Sequence, residues 1–317
     1  MNDKHLTREL EDLLAEAHAG RYRHDPTRLL RRITEWFSAH GALAHLAQAT
    51  HTHGDLGTLC RAFLDNRLGT TWKMQVFDRP GGRLIAESAT THNLIPTQGA
   101  TWIANLFTAA QSTATLYMGM LTLQQTATTG SITSGSNNLT FSTAPSPALI
   151  VGQAVSVAGA GASGANLLAF VGTVVSSTSY DLVTTLNGST PANAGTTVSG
   201  VSVQCGPAFA ITDTLATRTD FFTGFSNSPL PDWTPGAVSG TNPVSRVGAA
   251  QTFDITASSG TLCGGTLQDQ SAVAASYSSG NLIGEVQFTN ASGQPLFQPV
   301  ASGNAVSVTV TLNTNAG

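Results

Sequence analysis

Residues 305–312 read AVSVTVTL. Apolar and small polar side chains alternate without a break. In an extended chain successive side chains point to opposite faces. Val306, Val308, Val310 and Leu312 therefore share one face, and Ser307, Thr309 and Thr311 the other. The same period of two recurs upstream. Residues 73–78 (KMQVFD) and 83–87 (RLIAE) read as strands joined by the turn Arg79-Pro80-Gly81-Gly82, which makes a hairpin. Residues 113–123 read as a buried strand, and 219–225, 251–256, 261–267 and 282–289 add further strands. One stretch departs from the pattern. Trp102, Ile103, Leu106 and Phe107 recur at helical spacing, so a single amphipathic helix is predicted over residues 97–110.

Residues 125–204 are different again. Short Val/Leu/Thr runs alternate with Gly/Ser/Asn turns, and Asp181 is the only charged residue. Phe141, Phe170 and Tyr180 can seed a small core. A low-complexity linker is the alternative, but spaced hydrophobes and recurring strand lengths argue for a folded unit. The segment interrupts what otherwise reads as one domain, so it is expected to be an inserted β-sandwich or barrel.

The first 70 residues carry another chemistry. Leu6, Leu10, Leu13 and Leu14 recur at helical spacing, with Gly20 as a stop. Asp25 as N-cap and Pro26 at the first helical position open a second helix. Leu29, Leu30, Ile33 and Phe37 line one of its faces, and Gly41 ends it. Two shorter helical segments follow. So small a set of helices has a thin core, which favours docking onto other subunits. Arg31 and Arg32 read as a solvated or partner-facing surface, and Arg28, Arg31, Arg32 and Phe37 are the expected anchoring residues. His51-Thr52-His53-Gly54-Asp55 has the look of a metal site, yet it falls between helices with no further carboxylate or Cys nearby. It reads as a polar loop, and no metal is expected.

The fold class expected is thus mainly β. A helical region (1–70) precedes a β-sandwich-like body with one amphipathic helix (71–124 plus 205–317), and that body carries an inserted β-module (125–204).

Composition narrows function. All of the 14 Lys and Arg residues except Arg218 and Arg246 precede residue 93, and so do all 8 His. Proton-transfer and metal catalysis need clusters of such groups, and most of the chain does not supply them. Charged residues make up 10% of the chain, against about 25% in ordinary soluble domains. Surfaces built from Ser, Thr, Asn and Gln suit subunits packed against copies of themselves. The net charge of −4 offers no basic footprint for nucleic acid. Cys60, Cys205 and Cys263 are odd in number and far apart, so they read as buried small hydrophobes. No secretory leader and no membrane span are expected.

With 125–204 set aside, HNLIPTQGATWIANLF followed by ATLYMGML resembles a pattern of tailed-bacteriophage virion structural proteins. In them an Asn-Leu-Ile opening, a helix and a strand with a Tyr-x-Gly-Leu-like centre follow one another. DTLATRTDFFTGFSNSPLPDWTPG resembles the next block of that family. FDITASSGTLCGGTLQDQ, GNLIGEVQFTN and FQPVASGNAVSVTVTLN resemble its closing sheet. The likeness covers roughly residues 90–124 and 206–317. It implies a fibre, decoration or accessory protein of the particle, made in the host cytoplasm, without a reaction or cofactor. Its implied partners are capsid, portal/adaptor or tail subunits and further copies of the chain.

Two other roles compete with this one. A glycosidase needs two carboxylates facing each other across a cleft. Asp220 and Asp232, beside Phe221, Phe222, Phe225 and Trp233, are the best residues for it, but a strand edge and a turn explain them more simply. A Ser-His-Asp triad has no His to use after His92, and no G-x-S-x-G elbow occurs. No catalytic residue is therefore assigned. Trp233, held between Pro231 and Pro235, reads as an interface anchor, a sugar platform or a ring folded back over the sheet. Trp233, Phe221 and Asp232 are the candidate interface or host-glycan contacts of an adhesin.

Overall fold

The computed structural model describes residues 69–107, 115–210, 212–239 and 244–314. The head helices expected over 1–70, with Arg28, Arg31, Arg32, Phe37, the His51–His53 loop and Cys60, lie outside the described residues, except that Gly69 and Thr70 open a strand. Two compact units divide the chain. Most described residues fall in the second, which comprises 70–237 and 246–312.

The chain is mainly β. Strands β1 (Gly69–Phe77), β2 (Leu84–Glu87) and β3 (Thr91–His92) come first, then helix α1 (Thr97–Phe107) and strand β4 (Tyr117–Leu121). Strands β5 (Gln125–Ile132), β6 (Asn138–Phe141), β7 (Ala154–Val157), β8 (Leu167–Ser176), β9 (Ser179–Val183) and β10 (Val198–Cys205) follow. The closing set is β11 (Pro235–Ser239), β12 (Val244–Gly248), β13 (Gln251–Asp254), β14 (Gly260–Leu262), β15 (Gly264–Gln268), β16 (Leu282–Gln287), β17 (Gln298–Val300) and β18 (Ala305–Thr314).

The alternation in 305–312 builds what it predicts. Val306, Val308 and Val310 of β18 are buried, while Ser307 and Thr309 are less so. Strand β1 does the same with Trp72, Met74 and Val76. Both strands belong to a seven-stranded sheet ordered β11-β12-β18-β1-β2, with β13 also paired to β18 and β3 to β1. The β1–β2 hairpin turns at Arg79–Gly82, where Gly82 N donates to Arg79 O and Asp78 Oδ1 accepts from Arg83 N. Its register slips between Val76 and Phe77. This bulge breaks the period of two, and both Leu84 and Ile85 face solvent.

A second, three-stranded sheet runs β16-β15-β4, and β14 pairs with β17. One core cluster joins the two larger sheets. It takes Trp72, Met74 and Val308 from one and Met118, Met120 and Val286 from the other, with Trp102 of α1 packed among them. Helix α1 approaches β16 closely, and a Cβ at Gly99 would collide with the Ile283 carbonyl.

Two predicted strands come out differently. Residues 219–225 form no strand. Phe221 bridges Leu121 and Phe225 bridges Ile255, so the segment changes neighbour within four residues. Between those bridges Gly224 packs on the Phe222 ring. Residues 261–267 divide at Cys263, because β14 pairs with β17 whereas β15 lies between β4 and β16.

Strands β5 to β10 close into a barrel in the order β10-β5-β6-β9-β8-β7, and β10 seals the ring by pairing with β7. Its core cluster, which includes Leu139, Val155, Val171, Tyr180, Leu182 and Val203, is separate from those of the sheets. The chain enters and leaves side by side. Gln125 is in register with Cys205, and Gln124 N donates to Cys205 O at 3.0 Å. Gln153 clasps this neck. Its wholly buried amide donates to Gln124 Oε1 at 2.8 Å and to Gly206 O at 2.9 Å, and its oxygen accepts from Ile150 N.

Candidate functional site

The segment that leaves the barrel, residues 206–220, carries Arg218. Its guanidinium is buried and surrounded by acids. Nη1 donates to Glu285 Oε2 at 2.6 Å, to Asp213 Oδ2 at 3.1 Å and to the carbonyl of Ala208 at 3.1 Å. Nε and Nη2 form a two-pronged pair with Asp220 at 3.1 and 2.8 Å. Phe209 stacks on the guanidinium, 4.9 Å from ring centroid to Cζ. The planar guanidinium suits such a fixed fork, which a lysine could not reproduce.

Each acid is held by a different element. Glu285 lies in β16, pairs with Thr266 of β15 on one side and exchanges backbone hydrogen bonds with Leu94 on the other. Asp213 closes a turn, its Oδ2 also accepting from Ala210 N at 2.8 Å. Asp220 precedes the Phe221–Leu121 bridge, and its carbonyl accepts from Thr122 N. Gln98 at the start of α1 adds an uncharged tie. Its oxygen accepts from Leu215 N and Leu282 N, and its amide donates to Gly280 O.

Electrostatics follows from dryness. Burial raises the Glu285 pKa well above the ordinary carboxyl range. Arg218 opposes that shift, and the neighbouring Asp213 and Asp220 reinforce it. A 2.6 Å contact to Arg218 favours the ionised form, but Glu285 has no exposed surface and its Oε1 has no hydrogen-bond partner among the described residues. The upward direction therefore prevails. For Arg218, burial alone would lower the pKa, and Glu285, Asp220 and Asp213 together outweigh it and raise it. Cys263 lies close by. Burial first, and then Asp220, push its thiol well up, which removes thiolate chemistry from it.

The chemistry open to this cluster is structural. A general acid or base must come within hydrogen-bond reach of a substrate proton. Here the side chains of Arg218, Asp220 and Glu285 are at most 4% exposed, and Asp213 is 20% exposed. The cluster locks the barrel-exit segment to β16 and α1. No group of three or more metal-ligating side chains occurs among the described residues, and none of their helices is long and apolar enough to cross a membrane.

The residues singled out in the sequence are dispersed. Phe221 is buried, edge-on to Tyr277 with centroids 4.9 Å apart. Phe221 bridges Leu121 at one end of β4, and Asp232, which is exposed, bridges Tyr117 at the other end through its backbone. The two thus sit at opposite ends of β4, about 14 Å apart along the strand at roughly 3.4 Å per residue. Asp220 and Asp232 are no catalytic pair across a cleft. Trp233 is half-buried against the core, with its Nε1 donating to Val310 O at 3.2 Å and Gly248 beneath the indole. This is the ring folded back over the sheet. Cys205 and Cys263 are buried as expected.

Sequence reasoning missed the Arg218 cluster. The local part was visible, since TDTLATRTD places Asp213 and Asp220 around one of the two basic residues beyond His92. Glu285, 67 residues away, leaves no local sign. No protein-family model, curated protein or solved structure matches the chain.

Proposed function

We propose that this chain is a non-enzymatic bacteriophage virion structural protein, present in many copies. Residues 1–70, with Arg28, Arg31, Arg32 and Phe37, anchor it to capsid, portal/adaptor or tail subunits. The β body projects as a fibre, decoration or accessory element. The observation that supports this reading best is the construction of the body. A closed barrel is carried beside packed sheets, and the ionisable groups gathered around Arg218 tie the segment leaving the barrel to β16 instead of facing solvent. The resemblance over 90–124 and 206–317 points the same way. Deletion of residues 1–65 tests it. The truncated body should stay soluble and fail to join particles, and its incorporation at the full-length level would overturn the anchoring role.

A second reading is a receptor-binding adhesin for host-surface glycan. It draws support from the barrel, which exposes Ile150, Val151, Val174, Val175 and Leu186. Glycan-array or cell binding by the 125–204 deletion and by Trp233→Ala decides it, and unchanged binding in both removes this reading.

A further inference from the structure

One nitrogen of Arg218 is short of hydrogens. Nε and Nη2 serve Asp220. Nη1 carries two hydrogens and faces three acceptors, Glu285 Oε2 at 2.6 Å, Asp213 Oδ2 at 3.1 Å and Ala208 O at 3.1 Å. Two carboxyl oxygens thus crowd one nitrogen, and three acids answer one cation. A proton held by one of those two acids supplies the further hydrogen and removes the excess charge.

Position decides which acid holds it. The Glu285 side chain has no exposed surface, whereas that of Asp213 is 20% exposed. Dry surroundings favour a neutral carboxyl, so Glu285 carries the proton and Asp213 accepts it. Burial, the charge of Asp213 and a hydrogen bond to Asp213 all favour protonated Glu285 against the pull of Arg218. The groups that face Glu285 are Arg218, Asp213 and Asp220 from the barrel-exit segment, Thr266 in β15 and Leu94 on the other side. Thr266 and Leu94 do not titrate, and burial keeps the Cys263 thiol beside Asp220 protonated. The two acids also differ in freedom. Glu285 is fixed in β16 by its pairing with Thr266 and its backbone bonds to Leu94. Asp213 lies in a stretch, residues 212–219, that forms no strand or helix, where Thr212, Ala216 and Thr217 are exposed.

We infer that Glu285 and Asp213 hold one proton between them as a latch, and that its loss releases Asp213 and Arg218 from β16 while the sheets stay folded. With the proton gone, two charged carboxyls meet at Nη1, and the acid on the irregular stretch is the one free to move. The sign follows from linkage. The folded pKa of Glu285 is raised, so the closed cluster keeps a proton that the open one gives up. The open population grows about tenfold per pH unit between the ordinary carboxyl pKa and the raised value, and levels off above it. The latch belongs to the isolated chain and does not depend on the virion reading.

Arg218 supplies the reporter. It is one of two basic residues after His92, and its side chain is buried between exposed Thr217 and Thr219. Trypsin must take the arginine side chain into its own pocket, so a cut after Arg218 requires an open cluster. The full chain is digested over a rising pH series, and the fragment that begins at Thr219 is quantified by mass spectrometry. Its rate is divided by the rate on a short arginine peptide at the same pH, and circular dichroism follows the β content. Glu285→Gln keeps a neutral donor beside Asp213 and should be cut slowly, with no pH trend. At the top of the series the wild type should be cut about tenfold or more faster than Glu285→Gln, with its β content unchanged. Asp213→Asn removes the second charge and should also be cut more slowly than wild type there. If Asp213 were only a tie to Arg218, its loss would loosen the segment and speed the cut. Equal rates for wild type and Glu285→Gln at every pH overturn the inference. So does an Asp213→Asn chain cut as fast as wild type or faster, or a wild-type rise that comes only with loss of β content.

Discussion

Arg218 answers to three acids with one charge, so the two sides of the cluster are not interchangeable. Removing the cation leaves buried carboxyls facing one another, and breaking one side of a buried pair costs about 3–5 kcal/mol. Arg218→Met should therefore lower stability by about that amount in urea titrations, with Asp220→Ala somewhat less severe because Asp213 and Glu285 remain on the guanidinium. Glu285 sets the pH dependence. Its folded pKa is raised above the unfolded value, so the folded chain keeps a proton that the unfolded chain has released. The stability it contributes is fully present below the ordinary carboxyl pKa and is lost as pH rises through the raised value. The urea midpoint should thus fall as pH climbs upward from the ordinary carboxyl range. Glu285→Gln, which keeps the shape and has no proton to lose, should flatten that slope. An unchanged slope in the variant would contradict the assignment. Half of this site was legible in the sequence. An arginine between Asp213 and Asp220 is a local pattern, but their inward turn and their meeting with Glu285 depend on the pairing of β16, which no spacing encodes.

Elements with one wet and one dry face were the legible ones. Strands β1 and β18 show their core side as a period of two, and α1 shows its own as a period near 3.6. Segments that change partner were not legible. Residues 219–225 carry enough Phe to read as a strand, yet the neighbour of that chain switches from β4 to Ile255, and hydrophobicity is blind to the switch. Close approach of elements gives a prediction at this scale. At Gly99 the α1 backbone lies against the Ile283 carbonyl of β16, and a backbone atom cannot rotate away as a side chain can. Gly99→Ala should cost about 1–3 kcal/mol through displaced packing despite the better helix propensity of Ala, and thermal melting would read it. The Gln153 clasp gives another. Gln153→Ala strips donors from half-buried Gln124 Oε1 and buried Gly206 O, and should cost about 1–3 kcal/mol. Hydrogen exchange should then rise around the neck before it rises in the barrel core.

Across the whole molecule, separate hydrophobic clusters and an entry and exit that lie side by side predict that the barrel can be excised. Joining Gln124 directly to Cys205 asks for little new geometry, because these residues already share a backbone hydrogen bond. The excised chain should keep a cooperative unfolding transition and the circular dichroism of a β protein. An unfolded product would show that the sheets need the barrel. The β character of 125–204 was legible because short apolar runs alternate there with Gly/Ser/Asn turns. That it is a closed barrel was not, since sandwich and barrel share the same alternation and differ only in whether the last strand meets the first.

The neck has a further consequence under load. A pull applied between the two ends of the chain reaches Gln124 and can cross to Cys205 through the hydrogen bond and paired strands there, without passing around the ring of β5 to β10. The barrel is therefore wired in parallel with the tension path and stays slack until that junction shears. Such a load would strain the sheets first, and the barrel would keep its shape.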